Sequence, residues 1–159
     1  MSVIVELEVF VVEDNEAYRK ALVHFLKQKE GINVTAFASG EECLRNLAAK
    51  PDIIIQDFNL QGINGKSVLL KVKKVLPRTE FIFLSINKHP DNIIDTLKKG
   101  AFAYIIKTES AFPEVYQKIE EFKSLLCERR ERTRLRRKMM AIAAVVVLIL
   151  LIVLLVFKR

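Results

Sequence analysis

Five polar side chains in this sequence stand directly behind apolar runs. Glu13 and Asp14 follow Val9–Val12, Asp57 follows Ile53–Ile55 and Gln56, Ser85 follows Phe81–Leu84, and Lys107 follows Ala101–Ile106. Three carboxylates gathered in one pocket repel each other and rise in pKa unless a cation is near. A hard divalent ion with oxygen ligands, Mg2+ foremost, resolves that repulsion. Lys107 adds a fixed positive charge and Ser85 a hydroxyl donor, where an incoming phosphoryl group would bring negative charge. A carboxylate nucleophile beside Mg2+, an ammonium and a hydroxyl is the set needed to form an aspartyl phosphate. Asp57 is the expected acceptor, and its plainer alternative is a strand-end Asp capping the next turn.

These side chains meet only if the runs are strands that end at one edge of a sheet. Val9–Val12 predicts a central strand. Glu16–Lys29 places Tyr18, Leu22, Phe25 and Leu26 on one helical face, and Gly31 stops it. Ile32–Phe37 alternates as a half-exposed edge strand does. Ser39 with Glu42 forms a capping box whose helix is expected to run through Leu44, Leu47 and Ala48. Ile53–Ile55, between Pro51 and the turn at Gly62 and Gly65, reads as a strand buried on both faces. A helix over Lys66–Leu76 ends at Pro77, and Phe81–Leu84 forms the next strand. Pro90 opens a short helix that Gly100 closes. Ala101–Ile106 is the fifth strand, and a last helix from Ser110–Pro113 carries Val115, Ile119, Phe122 and Leu126. Five strand-then-helix units predict an α/β fold, a doubly wound parallel sheet with ligands at the carboxyl edge.

The net charge of +7 over 159 residues is unevenly placed. Residues 128–138 hold seven Arg or Lys (Arg129, Arg130, Arg132, Arg134, Arg136, Arg137 and Lys138) against two Glu, and Lys158 and Arg159 add the rest, so residues 1–127 sum to zero. A neutral domain gives no reason to expect nucleic-acid binding. Met139–Phe157 is nineteen apolar residues without a charge, near the ~20 that span a bilayer as a helix. Basic residues ahead of it fit the positive-inside rule and anionic headgroups. The expected organisation is a domain over 1–126, a basic stalk over 127–138, a transmembrane helix over 139–157 as a tail anchor, and a far-side tail at 158–159. The N-terminus lacks a signal-peptide pattern, and Cys43 and Cys127 lack a metal-like spacing.

The motifs VVEDN (Val11–Asn15), IIIQD (Ile53–Asp57), FLS (Phe83–Ser85) and AYIIK (Ala103–Lys107) together resemble the receiver domain of two-component response regulators, over Glu8 to about Leu126. The resemblance implies a flavodoxin-like five-stranded sheet in the order 2-1-3-4-5. It implies phosphorylation of Asp57, with Asp14 and Asp57 binding Mg2+ directly, Glu13 through water and Asn59 through its carbonyl. Ser85 matches the hydroxyl residue that moves toward the phosphoryl group, and Tyr104 matches the aromatic switch. Three positions depart from the family's usual pattern: Gln61 and Thr108 stand where Pro is usual, and Ile86 where Ala or Gly is usual.

The functional expectation is a non-enzymatic, membrane-tethered, stand-alone receiver at the cytoplasmic face of the inner membrane. A histidine kinase or phosphotransfer protein would phosphorylate it, and it would signal through an altered face toward a membrane-proximal protein target. Gln61, Ile86 and Thr108 motivate the alternative of a binding module that signals without phosphorylation. A homodimer is left open.

Overall fold

Pairing order, more than strand content, brings the chemistry to one edge. The structure, a computed structural model, describes residues 5–86 and 88–157, with side chains described up to Val145 and at Val147. Strands β1 (Leu7–Val12), β2 (Ile32–Phe37), β3 (Ile53–Asp57), β4 (Glu80–Ser85) and β5 (Ala103–Ile106) alternate with helices. These are α1 (Glu16–Lys27), α2 (Gly40–Arg45), α3 (Gly65–Val75), α4 (Pro90–Lys98) and α5 (Ala111–Phe157). Every neighbouring pair is parallel, in the order β2-β1-β3-β4-β5. This is the expected α/β sheet. Central β3 is buried at all five residues, whereas edge strand β2 exposes Asn33, Thr35 and Ala36.

Period-two alternation distributes the apolar residues over both faces of the sheet. Phe10, Ile54, Phe81 and Phe83 form one core cluster with Val68, Leu69 and Val72 of α3. Val9, Val11, Ile53 and Ile55 are equally buried, as are Leu22 and Leu26 of α1 and Val115 and Ile119 of α5. Each such side chain contributes about 1.5–3 kcal/mol by leaving water.

Caps set the helix starts. Asn15 accepts from Tyr18 N–H, and Asn64 from Ser67 N–H, both at 2.9 Å. Ser39 accepts from Glu42 N–H, but the Glu42 carboxylate accepts from Ala38 N–H, one residue earlier than in a standard capping box. The predicted continuation of α2 through Leu47 and Ala48 needs correction. The α-helix ends at Arg45, where Asn46 turns its side chain back to the Glu42 carbonyl, and Leu47–Ala49 form a 3-10 turn closed by Lys50 at φ 52°. Asn competes in this way for helical carbonyls.

The chain divides into two compact units, 1–120 and 121–159. In the second, all seven basic residues of 129–138 are exposed. Among the described residues no helix is long and apolar enough to cross a membrane. The expected transmembrane helix therefore has no counterpart there; the side chains of Val146 and 148–157, and all of Lys158 and Arg159, lie outside the described residues.

One close approach joins this core to the carboxyl edge. A Cβ on Gly65 would lie 2.8 Å from Phe83 Cε1, 3.0 Å from Gln56 Nε2 and 3.1 Å from the Asp57 carbonyl. Overpacking of this kind costs about 1–3 kcal/mol. Gly65→Ala is therefore expected to lower unfolding stability by about that much, measured by urea titration with circular dichroism.

Candidate functional site

Parallel pairing ends β1, β3, β4 and β5 at one edge, and the residues that follow them converge. Lys107 Nζ donates to Asp57 Oδ2 at 2.6 Å and to Glu13 Oε2 at 2.7 Å. The Lys107 side chain is 12% exposed, with Asp57 at 10% and Glu13 at 2%, so this ion triad is largely shielded from solvent. Asp57 Oδ1 accepts from Asn59 N–H at 2.9 Å, which engages both acceptor oxygens. Ser85 is fully buried at the end of β4, and its carbonyl accepts from Lys107 N–H at 2.8 Å, fixing the start of the lysine's loop. Tyr104, on β5, packs against the Phe58 ring at 5.6 Å.

Asp14 completes the acidic cluster. One carboxylate oxygen from each of Glu13, Asp14 and Asp57 lies within 4.8 Å of the others. Three convergent hard oxygen donors fit a small divalent cation, and softer N or S ligands are absent from the set. Gln61, where the family pattern has Pro, directs its N–H at Asp14 Oδ2 across 3.4 Å, a long contact that a prolyl nitrogen could not make. The Lys107–Thr108 peptide is trans, as is every bond among the described residues. Ile86 is 73% exposed and borders an open depression of about 400 Å³ with Lys88, His89 and Pro90.

Burial and charge act against each other here. Burial pushes the Glu13 carboxyl up to about 7, and the Asp57 charge adds to this, while the hydrogen bond from Lys107 opposes it. Burial by itself would lower Lys107, but its bonds to Asp57 and Glu13, and their charges, outweigh that and hold it above its ordinary value. Tyr18 is pushed up to about 12, by burial first and then by Glu13 and Asp57.

Two contributors escaped the reading of the sequence. The Tyr18 ring lies 4.4 Å from Lys107 Nζ, a cation–π contact that caps the ammonium. Arg19 Nη1 donates to the Glu13 carbonyl at 2.5 Å and reaches the Asp14 carbonyl at 3.3 Å, bracing the acidic loop from α1. Both lie within six residues of the acidic pair, but helical periodicity marks only Tyr18, and as core.

A family model for the response regulator receiver domain matches residues 9–120. The chain belongs to that family. Receiver domains are phosphoacceptor signalling modules rather than enzymes, they bind Mg2+ at an acidic site, and they work with histidine kinases or phosphotransfer proteins. Among curated relatives, the DNA-binding transcriptional regulator NtrC of Escherichia coli (strain K12) is 31% identical over 100 residues, 62% of this chain and 21% of that protein. The probable transcriptional regulatory protein SgaR of Hyphomicrobium methylovorum is 31% identical over 106 residues, 65% of this chain and 50% of that protein. The chain thus spans only part of these relatives. Among solved structures, the response regulator domain of Thermotoga maritima CheB is 25% identical with a TM-score of 0.65, covering 73% of this chain and 95% of that one. The receiver domain of Francisella response regulator 1452 agrees in fold at 24% identity and a TM-score of 0.66, covering 76% of this chain and 99% of that one.

The raised Glu13 carboxyl links folding to pH. Between the ordinary value of 4.5 and about 7, this receiver holds a proton when folded that it releases on unfolding. In EDTA, unfolding stability should therefore fall by about 1–3 kcal/mol as pH rises across that window. Urea titrations at about pH 5 and about pH 8 measure the change, and Glu13→Gln is expected to flatten it.

Proposed function

We propose that the chain is a signalling receiver phosphorylated on Asp57 in a Mg2+-dependent reaction, with a histidine kinase or phosphotransfer protein as donor. The observation that carries this reading is the shared ammonium, Lys107 bonded at once to Asp57 and Glu13. A carboxylate oxygen of Asp57 attacks the phosphorus of a phosphohistidine, and a P–O bond forms as the P–N bond breaks. Asp14, Asp57 and Glu13, with the Asn59 carbonyl, are the groups that would hold Mg2+, which supplies charge neutralisation for the phosphoryl oxygens. Lys107 keeps a positive charge beside the acceptor, and the Ser85 hydroxyl would donate to the transferred group. Tyr104, against Phe58, would read out the change as altered protein binding.

A location at the cytoplasmic face of a membrane is part of the same proposal. Its support is the sequence: Arg129, Arg130, Arg132, Arg134, Arg136, Arg137 and Lys138 precede a nineteen-residue apolar run. Anionic headgroups attract such a segment, by about 1 kcal/mol per basic residue near the surface. A tether would raise the local concentration of the receiver around a membrane-bound partner.

The full chain in mild detergent, incubated with Mg2+ and acetyl phosphate, should gain the mass of one phosphoryl group. Asp57→Asn or EDTA should abolish the gain, and Lys107→Met should slow it by roughly 10–100-fold. An unmodified wild-type mass would instead favour a receiver that binds partners without phosphorylation. In flotation assays the full chain should rise with vesicles containing phosphatidylserine, and neutralising the seven basic residues should reduce this.

A further inference from the structure

A phosphoryl group on Asp57 arrives at a carboxylate whose two oxygens are both engaged. Oδ1 accepts from Asn59 N–H and Oδ2 from Lys107. Adding a phosphoryl group to either oxygen disturbs one of these bonds, and Phe58 is the residue between Asp57 and Asn59.

The Phe58 ring is gripped on several sides. The Phe58 backbone N–H donates to the Leu84 carbonyl at 2.8 Å, tying this residue to β4. The ring meets Tyr104 at 5.6 Å and 65°, and Phe83 at 6.1 Å and 73°, both near edge-to-face. Lys66 Nζ, in the first turn of α3, lies 5.3 Å from the ring centroid. The same ammonium donates to Asp95 Oδ2 of α4 at 2.6 Å, and Lys99 also bonds Asp95. Hydrogen bonds from Lys66 and then Lys99 hold Asp95 down to about 2, so its carboxylate stays ionised at neutral pH.

We propose that Phe58 is a positioning residue that couples the state of Asp57 to helix α4, its ring seated between Tyr104 and the Lys66–Asp95 pair that ties α3 to α4. The proposal rests on Asp57 being the acceptor. When the Asp57–Asn59 loop rearranges, the ring moves against Lys66, and Lys66 carries the displacement to Asp95. A side chain that merely fills space would stabilise the fold without transmitting a change.

The test uses the full 15N-labelled chain in detergent with Mg2+ and beryllofluoride. Fluorine NMR reads occupancy at Asp57, and amide shifts of Asp95–Lys99 read α4. Wild type should bind and displace the α4 signals. Phe58→Leu and Lys66→Met should bind equally but lose roughly half or more of that displacement. The double variant should lose no more than the larger single loss, as members of one pathway do. Full displacement in both single variants at equal occupancy overturns the coupling alone. No fluorine signal from the wild type overturns the acceptor reading and the coupling with it. Lys66→Met leaves the apolar core intact and decides the matter by itself if Phe58→Leu does not fold.

Discussion

Burial of Glu13 and Asp57 around one ammonium is the constraint on which the rest of this receiver depends. Two shielded carboxylates cannot both stay ionised without a cation, and Lys107 supplies it at 2.6–2.7 Å. That requirement fixes the β5 loop beside β1 and β3, explains why Tyr18 covers the ammonium, and makes the Ser85 carbonyl a necessary anchor for Lys107 N–H. The triad is also electrostatically unsettled, since Glu13 remains above its ordinary range despite the lysine. A site in that condition is ready to accept further positive charge.

Strand positions, sheet class and the five strand-end residues were legible because apolar runs and their polar ends are local in the chain. Gln56 and Asp57 stand side by side in β3, where period-two alternation turns them to opposite faces and puts Gln56 under α3, while Asp57 reaches the carboxyl edge as the last residue of the strand. The break of α2 at Asn46 was not legible, because Leu47 and Ala48 keep helical spacing while the Asn46 side chain takes the Glu42 carbonyl. Arg19 was illegible for another reason. It acts through backbone carbonyls of Glu13 and Asp14, and a carbonyl leaves no mark in the residue sequence.

The rim departs from the family's habit without emptying the site. Gln61 replaces the rigidity of Pro with an N–H aimed at the Asp14 carboxylate across 3.4 Å. Ile86 projects an apolar surface into solvent beside a shallow depression. Both changes alter what an approaching protein meets, while the oxygen cluster behind them keeps its three donors.

Lys107 reaches Asp57 across 50 positions of sequence and Glu13 across 94. Contacts so distant along the chain close late, because the entropy of the intervening loops must be overcome first. During synthesis, a nascent chain that has not yet delivered β5 holds its acidic cluster without the ammonium. Pairing of the fifth strand with β4 is thus what brings the ammonium that balances the charge of the acidic cluster.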